Sequence, residues 1–386
     1  MSDARIYLDH AATTPLAPDV LEAMQPYFSR DGYNPSSIHA EGRRAREAVD
    51  SARECIAGIL HCRPKEIVFT AGGTEADNMA VIGAARAART RGKHALATAI
   101  EHHAVLHAMR ALRDEGFDVT LLPVDANGLV DVERFADALR DDTVLAAVMY
   151  ANNEIGTIQP IAELAEVARS RGVVFSTDAV QAAGTLDLDV TKLGIDALAI
   201  SAHKFYGPKG VGALYVRDGT PHEPLIHGGG QERGRRSGTE NVSGIVGMAK
   251  ALEVAERARI ETNARIAALR DALEVKVTAA CPGVHVNAKS VQRLPGISSL
   301  TFAGVDAESL LIALDLAGIA ASAGSACAAG SLEASHVIAA LGAAASNGGT
   351  LRLSLGRGTT QEQVDRVASL LPSLVASQRE GATLSV

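Results

Sequence analysis

The chain has 386 residues, enough for one large core and a second, smaller one. With 47% hydrophobic and 21% charged residues the composition is that of an ordinary soluble globular protein, and a formal net charge of −8 disfavours nucleic acid or an acidic membrane as a partner. No apolar run is long enough to span a bilayer, and MSDARIYLDH lacks the basic-then-apolar pattern of a leader, so the expected location is the cytoplasm.

In chain order, short apolar runs alternate with amphipathic stretches rich in Ala, Arg and Glu. EIVFT (66–70), HALATAI (94–100), VTLLPV (119–124), TVLAAVMY (143–150), GVVFSTD (172–178) and DALAIS (196–201) read as buried strands. EADNMAVIGAARAART (75–90), HAVLHAMRALRDEG (103–116) and IAELAEVARSRG (161–172) read as helices between them. Such alternation predicts an α/β fold with a mostly parallel, doubly wound sheet, whose ligands bind beyond the carboxyl ends of the strands. After about residue 255 the pattern changes. A long helix over 256–277 is followed by the strand GISSLTF (296–302), a helix around AESLLIALDLAG (307–318), the Gly/Ala/Ser-rich loop ASAGSACAAGS, the strand TLRLSLG (350–356) and a last helix. The expected division is a large domain over 15–255 and a smaller α+β domain over 256–386. Residues 1–14 suit either domain and are grouped with the smaller.

Four cysteines, Cys55, Cys62, Cys281 and Cys327, are too few and too scattered for a disulfide framework, and none has zinc-binding CxxC spacing. Cys55 and Cys62, seven apart in a helical stretch, read as packing residues, and Cys281 as a turn residue before a proline. Cys327 differs. Small residues flank it on both sides, and an exposed thiol in such a loop is a candidate nucleophile, set against an incidental free cysteine.

Three further segments carry chemistry together. AGGTEADN (71–78) follows a strand and opens a helix, where Gly72, Gly73 and Thr74 can form an anion cup; a plain capped turn is the alternative. In FSTDAVQAAG, Asp178 ends a strand, with Gln181 within a turn, and is either a helix cap or the partner of a protonated ring nitrogen. In SAHKFYGPKG, Lys204 stands just past a strand behind Ser201 and His203, where partial desolvation suits an amine to Schiff-base chemistry. Each alone is weak. A phosphate cup, a strand-end aspartate and a strand-end lysine on one sheet are the parts that pyridoxal 5'-phosphate requires. His102 closely follows a strand and could lie over the ring and handle protons. His103 and His107, four apart, lack an acidic third ligand at metalloprotease spacing, so no metal site is expected.

YLDHAATTP, NPSSIHAEGR, GGTEADN, EHHAVL, NNEIG, TDAVQAAG, SAHKFYGPKG, RRSGTEN, GSAC and LRLSLGR, in this order from Tyr7 to about Arg357, resemble the cysteine desulfurases of the nitrogen-fixation and iron–sulfur-cluster group. The resemblance implies the pyridoxal-phosphate fold type I and a conversion of L-cysteine to L-alanine. Lys204 then matches the Schiff-base lysine, Asp178 the pyridinium partner, Gln181 the residue bonding the ring hydroxyl, and His102 the histidine on the ring face. Gly73, Thr74, Ser201 and His203 match the phosphate cup. Thr239 matches a threonine that reaches the neighbouring subunit's phosphate, which implies a homodimer. Asn34, Asn153 and Arg352 match substrate-holding groups, Asn153 also touching the cofactor. Cys327 matches the cysteine that becomes a persulfide and passes sulfur to an iron–sulfur scaffold or another acceptor protein. Three features depart from the family pattern: Tyr33 replaces a common glycine before NPSS, Ala328 replaces a hydroxyl residue after the cysteine, and the sequence ends in REGATLSV where housekeeping members carry a longer scaffold-docking tail. Two rivals share the fold: another cofactor enzyme, such as a selenocysteine lyase or an aminotransferase, and a non-catalytic sulfur carrier.

Overall fold

The computed structural model describes residues 5–324, 335–342 and 348–383. Its described strands are β1 (Ile6–Tyr7), β2 (Ile67–Thr70), β3 (His94–Thr98), β4 (Asp118–Leu122), β5 (Thr143–Ala147), β6 (Val174–Asp178), β7 (Ala197–Ser201), β8 (Gly212–Val216), β9 (Val284–Val286), β10 (Ile297–Phe302), β11 (Ile319–Ala320) and β12 (Gly349–Ser354). Seven of them form one sheet in the order β2-β8-β7-β6-β5-β3-β4. The pairs from β4 through β7 are parallel, and β8 runs antiparallel to both its neighbours. The six apolar runs expected as strands are β2 to β7, and β8 follows Lys204 and pairs antiparallel with β7.

Every strand of this sheet but the edge strand β4 is buried along its whole length. Helices cover both faces, as a parallel sheet requires. Leu96, Leu198 and Ile200 pack on one face with Val49, Ile56 and Leu164. The other face is lined by alanines. Ala95, Ala97 and Ala147 meet Ala84, Ala85 and Met109, and Ala197 and Ala199 meet Ala76 and Met79. Small side chains let the helical run from Gly73 to Ala88 lie close against the strands that build the site.

A second core gathers Leu300, Phe302, Leu351 and Leu353 of the sheet β12-β10-β9 with Leu269, Leu273, Val277, Val364 and Leu371. Ile6 and Leu8 belong to this core, because β1 pairs with β11 and Asp9 bridges Ser354. The helix expected over 256–277 is the distal part of one running Val242–Ala280. Its first fourteen residues hide from a periodicity reading because Val242, Ile245, Met248, Ala249, Ala251, Leu252 and Ala255 are all buried, leaving no clear polar stripe. Cys281, expected in a turn, is buried at 1% exposure in the second core. The helix carrying Cys55 ends at Leu60, so Cys62 lies beyond it, after the left-handed His61. Both thiols pack against the main core, and burial pushes the Cys62 thiol up to about 12.

Candidate active site

The ends of β2, β3, β6 and β7 converge on one cavity of about 250 Å³. Gly73, Thr74, His102, Asn153, Asp178, Gln181, Ser201, His203, Lys204 and Arg352 all line it, so ten of the residues singled out above meet in space.

The cup is set by close approach. Gly72 has φ +154°, and a Cβ at Gly73 would stand 2.6 Å from Val180 Cγ2 and 3.3 Å from Ser201 Cβ, so glycine is required there. Thr70 Oγ1 donates to the Gly72 carbonyl at 2.9 Å and fixes the turn. An adjoining cleft is lined by Gly72, Gly73, Thr74, Ser201 and His203 together with Thr13 and Lys209. His203 Nδ1 lies 3.1 Å from Thr13 Oγ1, and burial takes its imidazole down to about 4, so it is neutral at ordinary pH.

Asp178 is 8% exposed, and its Oδ1 accepts the Val180 N–H at 2.8 Å. Burial raises its pKa, while His102 and Lys204 oppose the rise. Gln181 Nε2 donates to the Ala11 carbonyl at 2.8 Å. Lys204 Nζ donates to the carbonyls of Ala11 (2.6 Å) and Ala12 (2.9 Å). His102 caps the helix His103–Asp114 by accepting the Ala104 N–H on Nδ1 at 3.1 Å, so in its neutral form Nε2 carries the proton. Burial lowers its pKa, with Asp178 opposing.

Arg352 enters from the middle of β12 at 1% exposure. Its Nη1 donates to the Asn153 carbonyl at 3.0 Å, Nη2 to Asp9 Oδ1 at 2.8 Å, and Nε is buried with no partner among the described residues. The guanidinium matched to a substrate-holding group is thus partly committed to Asp9. Asn34 is exposed, with Oδ1 accepting the Ser36 N–H at 2.9 Å, and does not line the cavity. Thr239 is also exposed and lines a separate cleft that shares Ala71 and Gly210 with the phosphate cleft. Cys327 lies outside the described residues. The residues that flank its segment meet at Glu154, whose Oε2 accepts the Ser335 hydroxyl at 2.5 Å and stands where a Cβ on Gly324 would fall.

Sequence reasoning missed the segment Asp9–Thr14, which supplies carbonyls to Lys204 and Gln181 and the carboxylate on Arg352. It also missed Asp77 and Glu101, buried acids beside the cavity. The signal was present for Asp77, which stands one helical turn after Gly73 and so shares its inward face. His103 lies between two imidazoles, 5.3 Å from His107 and 4.8 Å from His336 by ring centroids.

The family model described as aminotransferase class-V matches residues 6–367. The chain is 47% identical over 383 residues to cysteine desulfurase IscS of Clostridium botulinum, covering 98% of this chain and 96% of that one. It is 49% identical over 381 residues to cysteine desulfurase IscS of Methanosarcina thermophila, covering 98% and 94%. Among solved structures, a NifS-like protein superposes with a TM-score of 0.90 at 36% identity over 96% of this chain and 99% of that one. A structure described as SspA in complex with cysteine superposes at 0.80 with 38% identity over 92% and 100%. A match of this extent, on a sheet whose strand ends carry this set of side chains, places the chain in the class-V aminotransferase family and, within it, among the cysteine desulfurases.

Proposed function

We propose that this chain holds pyridoxal 5'-phosphate on Lys204, converts L-cysteine to L-alanine, and carries the sulfur as a persulfide on Cys327 to an acceptor protein. The observation that carries the reading is the convergence of Lys204, Asp178, His102 and the Gly73 cup on one cavity. The residues present fit the cofactor. A buried carboxylate stands opposite a lysine amine, a glycine-only turn leaves room for a phosphate, and Lys204 and Gln181 bond to carbonyls of the same short segment.

When bound, pyridoxal phosphate supplies an aldehyde for an amine and a conjugated ring that takes up the electrons left as a Cα proton departs. Asp178 would hold the proton on the ring nitrogen, and Gln181 would bond the ring hydroxyl. Gly73, Thr74, Ser201 and His203 hold the phosphate, His203 as a neutral donor. Lys204 would anchor the cofactor, and its Nζ is the base that would take the substrate's Cα proton. His102, which lines the cavity, would face the bound ring and would have its Nε2–H available to the substrate. Arg352, steadied by Asp9 and the Asn153 carbonyl, offers its remaining N–H groups to the substrate carboxylate. The Cys327 thiolate would form an S–S bond to the substrate sulfur as the Cβ–S bond breaks with its electron pair left on the carbon skeleton, and protonation at Cβ with return of the proton to Cα gives alanine.

Thr239 and Asn34 act from the surface, Thr239 on the phosphate of a second copy, which makes the working form a homodimer. The acceptor is an iron–sulfur scaffold or a comparable thio-cofactor protein. No helix among the described residues is long and apolar enough to cross a membrane, and we place the enzyme in the cytoplasm. We divide the chain into a cofactor-binding domain over 15–255 and a smaller domain over 256–386 with 1–14.

The test is alanine formed from L-cysteine by wild type and Cys327→Ser. Wild type forms alanine and the variant keeps the coloured cofactor but releases no sulfide. Undiminished desulfuration in the variant, or no alanine from wild type, removes the assignment.

A further inference from the structure

Asp77 has no part in the scheme above, and its surroundings give it one. It is 3% exposed, sits on the helix Gly73–Asn78, and lines the same cavity as Asp178. A carboxylate oxygen of Asp77, one of Asp178 and a ring nitrogen of His102 all lie within 4.8 Å of one another. Two buried carboxyl groups this close do not both ionise unless cations balance them.

The balance is unequal. Asp178 has Lys204 and His102 acting to keep it charged, and it accepts the Val180 N–H. Burial disfavours a charge on Asp77, and the Asp178 carboxylate facing it from the end of β6 disfavours it further. Its helix neighbour Glu75 is turned toward Arg236. His102 Nδ1 accepts the Ala104 N–H, and burial lowers the imidazole's pKa while Asp178 opposes the fall. Burial and the Asp178 carboxylate together hold the Asp77 carboxyl well above the usual carboxylate range.

We propose that Asp77 is a positioning residue that keeps its proton, so that the pair carries one negative charge, placed on Asp178, with the Asp77 O–H available to it as donor. This rests on the reading of the cavity as a pyridoxal phosphate site and deepens it. A single anion is what a ring-nitrogen proton requires. A second would leave two like charges beneath one ring nitrogen, and one charge would have to be neutralised as the cofactor entered.

The experiment starts with the apoprotein, its aspartates carbon-13 labelled so that Glu101 does not contribute. Infrared difference spectra at pH 7 show the carbonyl stretch of a protonated aspartic acid in wild type, retained in Asp178→Asn and lost in Asp77→Asn. Persistence of the band in Asp77→Asn overturns the proposal. A second reading uses pyridoxal phosphate affinity between about pH 6 and 9. Asp77→Leu, which has no donor, binds about tenfold more weakly, and Asp77→Asn, a neutral donor of the same shape, restores wild-type affinity and pH profile. Equal weakening in both variants overturns the proposal. Failure of the cofactor reading itself looks different, because wild type then binds no pyridoxal phosphate while the infrared band still reports on Asp77.

Discussion

In the seven-stranded sheet the candidate residues sit at or just past the carboxyl ends of strands, at Gly73, His102, Asp178, Ser201 and Lys204. In the three-stranded sheet the one candidate, Arg352, sits in the middle of β12, paired with Ser299 on one side and bridged to Ser322 on the other. A strand-end residue is held by its own turn and can be exchanged without opening the sheet. A mid-strand arginine is held by two neighbours, by Asp9 and by the Asn153 carbonyl. The large sheet thus offers chemistry with little structural penalty, while the small sheet ties substrate binding to its own integrity.

Lys204→Ala tests the first half of that comparison. Alanine formation is expected to fall by about 10⁴-fold, since a nucleophile and base are lost together, while the urea midpoint stays near wild type. A midpoint that falls with the activity breaks the comparison. Arg53→Ala tests fold without site. Arg53 does not line the cavity, donates to Glu232 Oε1 at 2.7 Å and Oε2 at 2.8 Å, and stacks 4.6 Å from the Phe69 ring. Removing it strands a buried carboxylate and costs about 4 kcal/mol in urea unfolding. Arg352→Ala is expected to do both on a smaller scale. The KM for cysteine rises about a hundredfold, and stability falls by about 3 kcal/mol as Asp9 loses its partner. A rise in KM without loss of stability shows that β12 does not depend on this ion pair.

A fourth test concerns pH. Burial raises the Glu101 carboxyl from 4.5 to about 8. The folded state therefore keeps a proton that the unfolded chain has released, so stability falls as pH rises from about 4.5 to 8, by up to about 1.4 kcal/mol per unit from this group. Glu101→Gln flattens that part of the profile and raises the urea midpoint at pH 7. An unchanged slope assigns the dependence elsewhere.

The large sheet was legible because its strands are buried on both faces and read as unbroken apolar runs. The cup, the aspartate and the lysine were legible because each directly follows such a run. Asp9 and Thr13 were not, since they lie near the N-terminus beside a two-residue strand and reach the site only through pairing with β11 and β12. Asp77 was hidden among the polar letters of a helix start, where an acid ordinarily caps or faces solvent. The start of the helix Val242–Ala280 was hidden because burial on nearly all sides removes the amphipathic stripe. Asn34 and Thr239 show the same limit from the other direction. Their resemblance to functional positions is plain in the sequence, but a single chain brings neither to the cavity.

That helix has 39 residues, a span of roughly 58 Å at 1.5 Å per residue, and one unbroken backbone. Met248 and Leu252 belong to the first core, and Leu269, Leu273 and Val277 to the second. Neither core can melt alone without stripping half of a continuous helix of its packing, and the exposed remnant would have too little intrinsic propensity to persist. Heating is therefore expected to give a single calorimetric transition shared by both regions, with amide protons along the middle of the helix, near Ala255, among the last in the protein to exchange.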